Sequence, residues 1–127
     1  MRALVIDDSR AMRRIVTNIL EGLGYEVRDA GDGRQGLDVL DEGWVPELAT
    51  VDWNMPVMDG LQFVFAVRAN PAFRQVTLMM VTTESETGQI VKALAAGAHE
   101  YLIKPFTADA MRDKLALLGL LPEQVTA

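Results

Sequence analysis

The chain has 127 residues, half of them apolar, which is material for one core and too little length for a second domain. It contains no cysteine, which excludes disulfides and thiolate zinc sites and agrees with a reducing, cytoplasmic setting. Eighteen acidic residues against twelve basic give a net charge of −6, so nucleic acid and anionic membrane surfaces are poor partners.

The opening Met1 to Ile6 is too short for a signal peptide or a membrane span. Within it, Leu4-Val5-Ile6 predicts a buried strand. Met12, Ile15, Val16, Ile19 and Leu23 then keep the spacing of one helix face, and Gly24 closes that helix. Tyr25 to Ala30 alternates and carries Glu26, Arg28 and Asp29, as a strand near a sheet edge would. Leu37 and Leu40 mark a second helix ending near Gly43. Leu48 to Val51 is a third strand, with Leu61, Val64 and Phe65 on the helix after it. Val76 to Val81 is the fourth and most apolar strand. Ile90, Leu94 and Ala95-Ala96-Gly97 form the next helix. Tyr101-Leu102-Ile103 is the last strand, and Met111, Leu115 and Leu118 lie along the final helix. Five strands alternating with five helices predict an α/β fold, a doubly wound parallel sheet covered on both faces. Residues 1–127 read as one domain, with no output domain attached.

Polar residues stand just past the carboxyl ends of four strands: Asp7 and Asp8, then Asp52, then Thr82 and Thr83, then Lys104. In a parallel sheet these ends open on one side, where such folds bind ligands. Packed carboxylates disfavour joint ionisation, and a hard divalent cation with oxygen ligands removes the conflict. Mg²⁺ suits a site of few carboxylates that keeps its waters and accepts a phosphate oxygen. Three carboxylates, one Mg²⁺ and the Lys104 ammonium sum to zero, and such a site can accept a phosphoryl group. Asp52, on the central strand, is the natural nucleophile, while Asp7 and Asp8 are better placed to hold metal. Taken singly, each residue has a plainer explanation: Asp8 or Ser9 as a helix N-cap, Asp52 in a turn, Thr82 as a strand hydroxyl, Lys104 as a surface lysine. Their coincidence at one sheet edge favours the site.

At these residues the sequence resembles the receiver domains of two-component response regulators, along essentially its whole length. The matching pieces are Asp7-Asp8, Asp52, Met55-Pro56-Val57-Met58-Asp59-Gly60, Thr82 and Lys104-Pro105-Phe106, in order and with receiver spacing. Asp52-Trp53-Asn54-Met55-Pro56 and Ser9 to Val16 are most similar to the stand-alone chemotaxis regulators of that family. The resemblance implies a flavodoxin-like fold with strand order 2-1-3-4-5. It implies Asp52 as phosphoacceptor, and Mg²⁺ held by Asp8, Asp52 and the backbone carbonyl of Asn54, with Asp7 acting through water. Lys104 would pair with the phosphoryl group and Thr82 would donate a hydrogen bond to it. Tyr101 would follow Thr82 inward, changing the face of the fourth helix, fifth strand and fifth helix. Lys104-Pro105 resembles the family's cis peptide. Asn54 and Glu84 occupy positions that tune loss of the phosphoryl group. Thr83 is bulkier than usual there and could narrow access. Glu86 stands where basic residues are common, which weakens any transfer of a flagellar-motor partner.

The implied partners are a histidine kinase, CheA-like or of another type, a downstream target, and a phosphatase; the domain is expected to be a monomer. A phosphorelay intermediate or a generic single-domain regulator fits the same residues. Two remoter readings compete. Gly31-Asp32-Gly33-Arg34-Gln35-Gly36 matches a dinucleotide-binding spacing, but the strand before it is charged, Asp32 would repel pyrophosphate, and no second nucleotide half follows. As an alternative, Asp32 caps a helix and the glycines make a turn. A phosphatase working through aspartyl phosphate would want a general acid near Asp52, where Asn54 offers no proton, so no turnover enzyme is expected. His99, the only histidine, reads as a loop residue entering the last strand, and the methionines as core packing. Trp53 is expected to be partly exposed. Lys92 and Lys114 read as solvated surface lysines, with a place on the output face as the alternative, and the tail from Leu120 to Ala127 is expected to fray.

Overall fold

Residues 1–83 and 87–122 are described by the structure, a computed structural model. Among them, β1 (Arg2–Ile6), β3 (Leu48–Val51) and β4 (Thr77–Thr82) are continuous apolar runs because helices cover both of their faces. β2 (Glu26–Ala30) and β5 (Glu100–Ile103) are the edges of a five-stranded parallel sheet of order β2-β1-β3-β4-β5. The charged residues of β2 point to solvent at an unpaired edge, which discourages further strand pairing. The expected order is the observed one.

Alternation along the strands divides the core in two. Leu4, Ile6, Ala49 and Val51 meet α2 (Gly33–Asp41), α3 (Gly60–Ala69) and α4 (Thr87–Ala96) through Leu40, Phe63, Val64 and Ala93. Ala3, Val5, Leu48 and Met79 meet α1 (Arg10–Gly22) and α5 (Ala108–Leu117) through Val16, Leu20, Met111 and Leu115.

Among the described residues four helices start on a side-chain cap: Ser9, Asp32, Asp59 and Thr107 each accept a hydrogen bond from the backbone N–H three residues on. A 3-10 turn at Pro71–Phe73 joins α3 to β4.

Several details differ from the sequence reading. Ile15, Phe65 and Leu94 are exposed, whereas the spacing assigned them to buried faces. In α3 apolar residues run almost all round the helix, so period alone could not choose between a face through Phe65 and the observed face through Phe63, Val64 and Val67. Strand β4 extends to include Thr82 as its last residue. The chain end is packed as far as it is described: the Tyr25 hydroxyl donates to the Leu120 carbonyl, Leu120 and Leu121 lean on the α1/α5 core, and Pro122 is buried. Burial raises the Tyr25 pKa to about 12. The expected fraying of Leu120 and Leu121 therefore does not hold, and residues 123–127 lie outside the described residues.

His99 does lie in the loop before β5. Its Nδ1 accepts from the Leu78 N–H at 3.2 Å and faces Arg68 Nη2 at 3.2 Å, so burial and the guanidinium lower its pKa. The same guanidinium donates to the carbonyls of Gly97 and Val76, clasping α3 to both neighbouring connections.

Candidate functional site

Parallel pairing continues one residue beyond three of the strands. The Asp7 N–H donates to the Ala30 carbonyl, Asp52 N–H to Ile6, and Lys104 N–H to Thr82, at 3.2, 3.0 and 2.9 Å. Each charged residue is therefore fixed in register at the same edge of the sheet. Asp7, Asp52 and Thr82 are buried, while Asp8 is exposed.

Lys104 reaches back across the sheet to the carboxylates. Its Nζ lies 2.6 Å from Asp7 Oδ2 and 3.3 Å from Asp52 Oδ2. The other oxygens are held by backbone: Asp7 Oδ1 accepts from the Ser9 N–H at 2.9 Å, and Asp52 Oδ1 from the Trp53 N–H at 2.7 Å. Burial raises the Asp7 pKa, opposed by Lys104 and the Ser9 N–H, while the charge of Asp52 adds to the rise.

Carboxylate oxygens of Asp7, Asp8 and Asp52 lie within 4.8 Å of one another. Three carboxylates against one ammonium leave an excess of two negative charges. Among the described residues the Asp8 carboxylate has no hydrogen-bond partner and is open to solvent. An all-oxygen donor set, open on one side to water, fits a hard divalent cation such as Mg²⁺.

The remaining candidates are placed as follows. Asn54 is exposed at the start of the loop after Asp52. Thr83 lines a cleft of about 390 Å³ with Met12, Ile15, Lys104, Pro105 and Phe106. Tyr101 is buried in this structure, in the same core cluster as Met80 and Ala93. The Lys104–Pro105 peptide is cis. Trp53 is only 8 % exposed, which corrects the expectation of partial exposure: it follows directly on a buried strand and joins the α2/α3 side of the core. Glu84 and Glu86 lie outside the described residues.

Four residues support this site whose parts in it the sequence reading did not assign. A Cβ on Gly60 would stand 2.2 Å from the Asp52 carbonyl oxygen, so only glycine lets α3 begin directly beneath Asp52. Asp59 and Gln62 close a capping box there. Arg13 donates to the Asp7 carbonyl at 2.8 Å and pairs with Asp29 at 3.1 Å, holding the turn into α1. The glycine motif at 31–36 proves to be packing. The Gly33 N–H donates to the Met58 carbonyl at 3.1 Å, and a Cβ on Gly36 would strike Ile6 and Phe63. Asp32 Oδ1 accepts from the Gln35 N–H at 2.8 Å as the cap of α2.

An open parallel sheet of this order, with carboxylates and a lysine gathered at its carboxyl edge, is the architecture of a receiver domain. The chain belongs to the response regulator receiver domain family, whose model matches residues 3–116. Chemotaxis protein CheY1 of Helicobacter pylori is 41 % identical over 119 residues, 93 % of this chain and 96 % of that protein. Chemotaxis protein CheY of Pseudomonas aeruginosa is 40 % identical over 116 residues, 91 % of this chain and 93 % of that one. Among solved structures, chemotaxis protein CheY4 of Vibrio cholerae superposes with a TM-score of 0.85 at 34 % identity, covering 91 % of this chain and 96 % of its own. The likeness is to receiver domains of the CheY type.

Proposed function

We propose that the chain is a single-domain response regulator of chemotaxis in the cytoplasm, switched by Mg²⁺-dependent phosphorylation of Asp52. The observation that carries this reading is the juxtaposition of Asp7, Asp8 and Asp52 within 4.8 Å, with Lys104 in contact with two of them.

A phosphohistidine on a CheA-like kinase is the donor. The P–N bond breaks, a P–O bond forms to the Asp52 carboxylate, and the leaving imidazole takes a proton. The Trp53 N–H holds Asp52 Oδ1, which leaves Oδ2, now beside Lys104, as the oxygen that attacks. Asp8, Asp52 and the Asn54 carbonyl would hold Mg²⁺, with Asp7 acting through water, and the ion when bound supplies positive charge for the phosphoryl oxygens. The Lys104 ammonium needs only to exchange its carboxylate contact for a phosphoryl oxygen. Thr82 donates a hydrogen bond to that group, while Asn54, Thr83 and Glu84 set how long it lasts. The response is then carried by α4, β5 and α5, where Tyr101 and Lys114 stand and Lys114 pairs with Glu100 at 3.0 Å.

Two variants test this. Asp52→Asn is expected to take no acid-labile label from acetyl phosphate or a kinase; label on that variant would show the acceptor misassigned. Lys104→Ala is expected to label but not to bind its target in response, and a normal response would remove its switching role.

A further inference from the structure

Although the chain as a whole is acidic, one region of its first helix is strongly basic. Arg10, Arg13 and Arg14 open α1, with no acidic residue in its first turn. With Arg28 and one carboxylate, Asp29, of the edge strand they line a groove of about 370 Å³ between α1 and β2, four cations against one anion. Two of the four arginines are matched within the chain. Arg13 serves Asp7 and Asp29, and Arg28 pairs with Glu42 at 3.6 Å while lying 4.9 Å from the Trp44 ring centroid. Arg10 and Arg14 are exposed and have no hydrogen bond or ion pair among the described residues.

These two work against their own helix. Like charges at i and i+4 repel, and the amino-terminal end of the helix dipole disfavours cations. A local arrangement that weakens the fold without gain inside it points to a use outside it.

We propose that Arg10 and Arg14 receive an acidic segment of the phosphodonor protein in the α1/β2 groove. This rests on the reading of Asp52 as phosphoacceptor. The guanidinium fork pairs best with carboxylates, and arginines one helical turn apart match two carboxylates at the same spacing on a partner helix. A nucleic acid would run on from these two residues over a surface of net charge −6. The groove also adjoins the site, since Arg13 lines it and bonds the Asp7 carbonyl. A phosphorylated donor is repelled by the aspartate cluster itself, and a basic surface beside that cluster offsets the repulsion during encounter.

The test compares wild type, R10E/R14E and R10K/R14K, with the autophosphorylated CheA-like kinase of the same organism as one donor and phosphoramidate as the other. Transfer from the kinase is expected to be about tenfold slower in R10E/R14E at low salt, with its salt dependence lost, and close to wild type in R10K/R14K. Labelling by phosphoramidate and Mg²⁺ affinity should match wild type in all three. The melting temperature of R10E/R14E should be equal or higher, because carboxylates suit a helix N-terminus. Kinase transfer to R10E/R14E at the wild-type rate would overturn the proposal. So would equal losses with phosphoramidate and Mg²⁺, which would show the arginines acting on the aspartate cluster instead. So would wild type that phosphoramidate labels and the kinase does not. Wild type that phosphoramidate cannot label would instead overturn the reading of Asp52.

Discussion

Two loops meet at the carboxyl edge of the sheet, and on paper they look alike. One runs from Gly31 to Gly36 after β2, the other from Asp52 to Gly60 after β3. Each carries glycine and aspartate, and each opens a helix with an aspartate whose Oδ1 accepts a backbone N–H at 2.8 Å. They even touch, through the Gly33 N–H and the Met58 carbonyl. In the first loop the polar side chains are used up locally: Asp32 caps α2, and Gln35 Oε1 accepts from the Gly31 N–H at 2.9 Å. In the second, Asp59 does the capping, and Asp52 is left with one oxygen facing the lysine. The difference comes from the strand each loop follows. β2 is an edge, with a neighbouring strand on one side only; β3 is central, and its loop opens between the carboxylates of β1 and the lysine after β5.

The largest expected break in this comparison is chemical. Asp52→Asn should lose all phosphoryl labelling, whereas Asp32→Ala should keep it and lose about 1 kcal/mol of stability, as a missing N-cap does; denaturant titration beside acetyl phosphate labelling separates the two. Next comes Gly60→Ala, where a methyl would meet the Asp52 backbone. Its unfolding free energy should fall by about 3 kcal/mol, with labelling reduced as the acceptor is displaced. Mg²⁺ at a hundred times its Kd should stabilise wild type by about 2.7 kcal/mol. Thermal melts should show that gain vanish in Asp8→Asn and survive in Asp32→Ala. The smallest effect concerns Val57, a β-branched residue held at φ 68° and almost fully exposed in the loop after Asp52. Asparagine tolerates that conformation, so Val57→Asn should raise stability by about 1 kcal/mol, and unchanged or lower stability would show that the loop is not strained there.

Much of this protein could be read without coordinates. The apolar runs at Leu4 to Ile6, Leu48 to Val51 and Val76 to Val81 announce strands covered on both faces, and the charges of Glu26, Arg28 and Asp29 announce an edge. From alternation and strand ends alone, Asp7, Asp8, Asp52, Thr82 and Lys104 fall on one side of the sheet, because chain direction in a parallel sheet is a one-dimensional property. Tertiary structure decided what depends on distance in three dimensions. It chose Phe63 over Phe65 as the buried ring of α3, drew Trp53 inside, and turned the glycines at 33 and 36 into packing contacts. It also showed that Gly60 must lack a side chain and that Arg13 ties the first loop to the second strand. Side-chain period and residue type determine which way a chain runs and which face it buries; close contacts between segments far apart in sequence exist only once the sheet has brought them together.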